Sequence, residues 1–188
     1  MANKIKYGLK NVYYAKATIA ANGSATYATP VALPGAVNLT LDSEGDTTPF
    51  YADNIVYYVG VSNNGYTGSL ELALIPDAFR TDILGEQTDN TTGLQYEVVD
   101  VEPAHFALLF QFEGDDAATK HVMYNVVATR PAVSSQTKES SVEPVTETLD
   151  LTATSIYNAT VDADMVKGKM ESDASGYANF FTAVVQPS

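Results

Sequence analysis

His105 and His121 are the only histidines in this 188-residue chain, so imidazole acid–base or metal chemistry near neutral pH would have to run through them. They stand sixteen residues apart, and neither belongs to an i, i+4 pair or an HExxH motif, so both read as structural or strand-edge side chains. The acids cluster at Asp115-Asp116, at Asp162 and Asp164, and at Asp42, Glu44 and Asp46. A calcium loop of EF-hand type needs glycine at its sixth position and glutamate at its twelfth. Counted from Asp42 these positions hold Thr47 and Asp53, so the motif fails. Solvated turn charges are the better reading, with weak cation binding as the alternative. The chain has no cysteine, which removes disulfides, thiolate nucleophiles and thiolate metal sites. Neither GxSxG nor the phosphate-cradling GxxxxGK occurs. A Ser/His/Asp triad drawn from distant residues is a matter of geometry that spacing does not decide, and nothing favours one. No catalytic, cofactor-binding or metal residue is therefore expected, and the chain does not read as an enzyme. Its twelve tyrosines, some in pairs such as Tyr13-Tyr14 and Tyr57-Tyr58, suit core and interface packing better than ligand stacking.

Charge is unevenly placed. The net charge is -13, yet residues 1–41 hold four lysines (Lys4, Lys6, Lys10 and Lys16) and no acid. From Asp42 to Thr119 there are fifteen acids and one base, Arg80. Nucleic-acid affinity rests on neutralising phosphates, so an acidic middle disfavours a sequence-reading role. A solubilising surface is the plain reading, and electrostatic passivation of a surface near DNA is the sharper one. Apolar residues make up 45% and charged residues 18%, which fits an ordered single domain over 1–188. No apolar run reaches the length of a membrane span, and MANKIKYGLKNVYYA lacks a signal-peptide core, so a product made in the cytoplasm is expected.

The elements that must position these side chains are mostly strands. Val37, Leu39 and Leu41 alternate with polar residues, as do Leu70, Leu72 and Leu74, then Val122, Tyr124 and Val126, and Leu149 and Leu151. Two short apolar runs, Ile55–Val61 (IVYYVGV) and Phe106–Phe112 (FALLFQF), are rich in branched and aromatic residues and too short for a typical helix, which predicts strands buried on both faces. Turn residues between the runs imply antiparallel pairing. One short helix is predicted over about 76–85. Pro76 starts it, Phe79, Ile83 and Leu84 form its apolar stripe, and Gly85 stops it. Residues 42–54 and 131–144 read as long loops or hairpin tips, the first carrying aromatics suited to contact.

Several segments together carry a family resemblance. These are GDTTPFYADNIVYYVGVSNNGYTGSLELALIPDAFRTDILG (45–85), GLKNVYYA (8–15), TPVALPGAVNL (29–39), FALLFQFEGD (106–115), KHVMYNVVATRP (120–131) and TKESSVEPVTETLDLTAT (137–154). In this combination and order the chain resembles the major tail tube proteins of long-tailed, non-contractile bacteriophages. The match is weaker after Ser155, where ASGYANFFTAVV is the most recognisable part. The resemblance implies a mainly β fold, an antiparallel β-sandwich or barrel of the tail tube type with one short helix. It also implies a structural virion protein that self-assembles into stacked, hexameric rings through which genomic DNA passes without specific binding. Tape measure, tail terminator and distal tail proteins are its implied partners, with no cofactor and no membrane.

Within that frame Asp46, Pro49, Phe50, Tyr51 and Asp53 are the expected inter-ring contacts. Asp42, Glu44, Glu71, Asp115 and Asp116 are the expected lumen-facing acids, and Lys4, Lys6 and Lys10 the basic inter-subunit residues. A carbohydrate-binding β-sandwich and a hydrolase with a scattered site are the alternatives. The absent tryptophan and secretion signal weigh against the first.

Overall fold

The computed structural model describes residues 5–135, 137 and 144–187. Its strands in chain order are β1 (Leu9–Ile19), β2 (Ala25–Tyr27), β3 (Val31–Ala32), β4 (Ala36–Glu44), β5 (Thr47–Ala52), β6 (Ile55–Val61) and β7 (Gly65–Leu72). A short helix follows, then β8 (Gln87–Thr88), β9 (Gln95–Tyr96), β10 (Phe106–Phe112), β11 (Lys120–Ala128) and β12 (Glu147–Thr154). Then come β13 (Ile156–Asn158), β14 (Ala163–Met165) and β15 (Lys167–Met170), followed by a 3-10 turn at Tyr177–Asn179.

The main sheet runs β2-β1-β10-β11-β12-β7-β4, with β3 added to β1 and β15 to β11, and its pairings are antiparallel. It curls until β4 comes back beside β1, and just before β4 the Leu33 N–H extends the β3–β1 pairing to the Val12 carbonyl at 2.8 Å. The architecture is thus an antiparallel β-sandwich, barrel-like, with one short helix.

Two cores explain the strand patterns. Inside the curl, Tyr14, Leu70, Leu72, Phe106, Leu108, Leu149 and Leu151 pack with Phe79, Ile83 and Leu84 of the helix. On the opposite face of β1, β10 and β11, Ala107, Leu109, Val122 and Tyr124 are covered by Ile156 and Phe180 of the C-terminal segment. FALLFQF is apolar but for Gln111 because both of its faces are covered, as its sequence predicts. In β12 the clean alternation of Leu149, Leu151 and Ala153 with exposed Thr148, Asp150 and Thr152 marks a sheet covered on one face only.

The C-terminal cover is pinned by polar contacts. Lys120 Nζ donates to the Tyr177 carbonyl at 2.7 Å and lies 3.7 Å from the centre of that ring, while Tyr124 OH donates to the Val185 carbonyl at 3.1 Å. Buried Gln111 donates to the Ala118 carbonyl and to Tyr177 OH, and accepts from Asn11 Nδ2, so no buried amide in this layer is wasted.

Pro76 caps the helix, as its sequence predicts, and Phe79 and Ile83 are buried. Only Asp77–Phe79 is wound as α-helix. Arg80–Leu84 widens to a π turn whose closing bond runs from the Gly85 N–H to the Arg80 carbonyl, with Gly85 at φ 77°. Arg80 anchors this turn to the sheet. Its guanidinium meets Glu147 at 2.7 Å and Glu86 at 3.4 Å, while the other Glu147 oxygen accepts from the Ile75 N–H at 2.6 Å.

The structure corrects several sequence expectations. IVYYVGV is not buried on either face. It is one arm of a hairpin whose large side chains are exposed, Tyr57 at 72% and Val61 at 77%. Val37 is exposed because β4 slips register between Ala36 and Asn38, and Leu74 is exposed because β7 has ended at Leu72. Residues 131–135 are irregular and largely exposed, while the greater part of the expected 131–144 excursion, positions 136 and 138–143, lies outside the described residues.

Candidate functional site

The hairpin of β5 and β6 stands apart from the main sheet, and among the described residues its two strands pair only with each other. Its two-residue turn is Asp53-Asn54, with φ 51° and 61°, between the paired Ala52 and Ile55. Two successive positive φ values are those of a type I′ turn, which matches the twist of a hairpin and which Asp and Asn tolerate better than other side chains. The arm is rooted by two backbone-level contacts: the Ser62 N–H donates to the Asp46 carbonyl and the Asp46 N–H to Ser62 Oγ, both at 2.9 Å.

Along the arm Phe50, Tyr51, Ile55, Val56, Tyr57, Tyr58, Val59 and Val61 are all exposed. A two-stranded hairpin alone is marginal in water, and a contiguous apolar surface of this kind marks a place where another surface is covered. The expected contact residues Pro49, Phe50, Tyr51 and Asp53 all lie on it, and Asp46 lies at its root. Sequence reasoning left out the second strand, Ile55–Val61, because a run apolar on both faces looks the same whether its cover comes from its own chain or from elsewhere.

The expected acids divide into two groups. Thr40, Asp42 and Glu44 of β4 alternate with Leu39 and Leu41, whose side chains pack on the inner core, so the acids lie on the outer face. β7 presents Thr67, Ser69 and Glu71 on that face, and β12 presents Thr148, Asp150 and Thr152 beside them. Glu44 accepts from Thr67 Oγ1 and Glu71 from Thr146 Oγ1, both at 2.6 Å. The result is a hydroxyl-rich sheet face with four carboxylates, including Asp150, and no lysine or arginine on these three strands. Asp115 and Asp116 sit elsewhere, in the turn between β10 and β11. The Asp115 carboxylate accepts the Ala117 and Thr119 N–H groups at 3.1 and 2.9 Å, and Thr119, through its side chain first, holds its carboxyl below the usual range.

Of the expected basic residues, Lys6 lies 4.9 Å from the centre of the Phe112 ring and Lys10 is half-buried opposite Gln111. Lys4 lies outside the described residues. Near Lys6 a cleft of about 250 Å³ opens between β4, β7, β11 and β15, lined by Leu41, Tyr66, Phe112 and His121 and flanked by Lys6 and Lys167.

Among the described residues no carboxylate hydrogen-bonds to either histidine. His105 Nδ1 shares a 2.7 Å hydrogen bond with Asn125 Oδ1, and His121 stacks on Phe110 with ring centres 5.2 Å apart. Among the described residues no three His, Asp or Glu side chains converge in a way that could hold a metal ion. What the described surface offers is an apolar arm, an acidic face and a cleft with a basic rim.

A family model described as phage tail tube protein matches residues 2–102. No curated protein matches the chain. Among solved structures, a chain of the anti-feeding prophage (AFP) baseplate, determined by cryo-EM and 6-fold symmetrised, is similar at 8% identity with a TM-score of 0.43, over 92% of this chain and 98% of that one.

Proposed function

The chain belongs to the phage tail tube protein family, a structural and not an enzymatic one, and on that premise we propose that it self-assembles into stacked rings forming the tube that conducts phage DNA. The observation that carries this reading is the projecting β5–β6 arm. Its eight large exposed apolar side chains gain nothing within the subunit and gain much by burial against a neighbour. An arm and the surface receiving it are different patches, so the contact is heterologous, and repetition of such a contact generates closed rings or open helical stacks.

Residues 1–188 form one tail tube domain in this reading, with hexameric rings as the assembly. The face of β4, β7 and β12 that carries Asp42, Glu44, Glu71 and Asp150 is its lumenal wall. Carboxylates repel phosphate, and screening confines that repulsion to about 8 Å at physiological salt, so acids are felt by DNA only if they line the bore. Threonine and serine hydroxyls between them keep the wall wet without adding positive charge. Asp115 and Asp116, in the turn between β10 and β11, then lie off that wall, and the arm residues Asp46, Pro49, Phe50, Tyr51 and Asp53 join one ring to the next. The protein is a virion component made in the host cytoplasm, and its tube meets the tape measure, tail terminator and distal tail proteins.

Negative-stain electron microscopy of the purified chain tests the reading. Rings or tubes with a central stain-filled channel are expected; monodisperse monomers at every concentration and salt tried would reject it.

A further inference from the structure

The arm needs a receiving surface, and the cleft between β4, β7, β11 and β15 has the matching chemistry. It exists because β11 forks. The second half of β11, Asn125–Ala128, pairs with β12, whereas its first half, Lys120–Met123, pairs with β15. The two partner strands diverge, and the inner core is left open between them. Phe110, Phe112 and Leu41 reach this opening from the core side, so its floor is apolar.

The rim is basic. Lys167 lies 4.7 Å from the centre of the Tyr66 ring and Lys6 is similarly placed over Phe112. Among the described residues neither ammonium has a carboxylate within ion-pairing distance. Lys169 stands two residues along β15 and pairs with Glu171 at 3.5 Å, and the nearby Asp115 carboxylate is engaged by backbone N–H groups of its own turn. The arm has the opposite character: from Asp46 to Ser62 it carries two acids, Asp46 at the root and Asp53 at the turn, and no base, and its tip combines Asp53 with Phe50, Tyr51, Tyr57 and Tyr58.

We propose that the aromatic tip of one subunit's arm occupies this cleft on a neighbouring copy of the same chain, with Lys6 and Lys167 closing over it. An arm of about 23 Å, from seven residues at roughly 3.3 Å each, springs from the end of β4 that also borders the cleft, where Ser43 pairs with Tyr66. Being exposed along its length, the arm does not fold back on its own root, so the occupant comes from another copy. The cleft volume of about 250 Å³ admits an aromatic side chain, and both rim cations already lie over rings, the geometry in which an added tyrosine or phenylalanine is also held. Each subunit thereby gives one arm and receives another, a head-to-tail contact.

This inference rests on the self-assembly reading, and its test separates the two. The chain lacks cysteine, so a Tyr57→Cys, Lys167→Cys double variant has two unique thiols. Treated with a short bis-maleimide after assembly, it should give a ladder of covalent multimers on a denaturing gel, whereas each single variant should stop at dimer. In parallel, Lys6→Glu with Lys167→Glu should keep the parent unfolding midpoint and raise the concentration needed for tubes at least about tenfold, in line with the loss of partly buried charge contacts at an interface. Tubes at the parent concentration together with no ladder would overturn the cleft assignment and leave self-assembly standing. Absence of tubes from the parent chain would reject both.

Discussion

Tyr14 OH donates a 3.0 Å hydrogen bond to Asp82 Oδ2 while the Tyr14 ring meets Phe79 edge-on, with centres 5.0 Å apart. One buried side chain of β1 therefore holds both the polar rim and the apolar underside of the helix. Burial, then the hydrogen bond to Asp82 and its charge, pushes the Tyr14 phenol well above its ordinary range, so it stays a donor at any working pH.

Two variants should part these contributions. Tyr14→Phe keeps the ring and loses the hydroxyl, for about 0.5 to 1.5 kcal/mol of stability. Phe79→Ala removes a fully buried ring that also meets Phe106 edge-on, for about 3 to 5 kcal/mol. Urea denaturation monitored by tyrosine fluorescence measures both. Equal midpoints for the parent and Phe79→Ala would mean that the helix is not part of the core.

The arm should be dispensable for folding and required for assembly. Its root is closed by the Asp46 and Ser62 contacts, and its residues pack on no core, so replacing residues 47–61 with a short glycine linker leaves the body intact. The truncated chain is expected to unfold at the parent temperature within a few degrees and to run as a monomer in gel filtration. Normal tubes from it would show that the arm is not the joint.

Sequence alone went furthest where a pattern had one physical cause. Leu149, Leu151 and Ala153 alternate because β12 is covered on one side, and Pro76, Phe79 and Gly85 mark a helix because start, stripe and stop coincide. It failed where two causes leave the same pattern. FALLFQF and IVYYVGV are both largely apolar runs, yet the first is covered by its own chain on both faces and the second, among the described residues, stays exposed. The turn at Asp53-Asn54, followed at once by IVYYV, was the available sign of a free hairpin. The basic cleft was not legible at all, since Lys6, Tyr66, His121 and Lys167 meet only through the fork in β11.

Gly68 should be irreplaceable in β7. It lies between Leu41 of β4 and Leu151 of β12, and a Cβ there would run into the Thr40 carbonyl and stand 2.9 Å from Leu41 Cα. Backbone cannot yield as a flexible side chain can, so Gly68→Ala is expected to lose about 1 to 3 kcal/mol or more by prising β4 from β7. Gly60→Ala in the arm, whose Cβ would meet Tyr58 at 3.6 Å, is the control and should shift the thermal midpoint little. Similar midpoints for the two would contradict the tight β4–β7 approach.

Stability should fall as pH drops through the histidine range. Burial first, then Lys6, holds the His121 imidazole below its ordinary 6.5; Asp115 opposes this, and Lys169 and Lys167 add to it. A depressed folded value means that the unfolded chain binds the proton first. This contribution is therefore complete above about pH 6.5, is lost as pH falls from there to the folded value, and is flat below it. His121→Gln cannot take up that proton, so the parent's midpoint should drop more than the variant's between about pH 7.5 and 5.5. Parallel curves for the two proteins would remove His121 from the account.

The acidic face makes a last prediction, at the level of the virion. If β4, β7 and β12 line the bore, lysines at Asp42, Glu71 and Asp150 turn repulsion of DNA phosphate into attraction at the wall. Each of these carboxylates is on the outer face of the sheet, away from either core, so a triple Lys variant should fold and assemble with a thermal midpoint near the parent's. Its tails should eject DNA more slowly, and the defect should ease as salt rises, because attraction to phosphate weakens with counterion concentration while packing contacts do not. Ejection kinetics at two salt concentrations, on particles with normal tails by electron microscopy, measure it. Unchanged rates at low salt would move these acids to the outside of the tube.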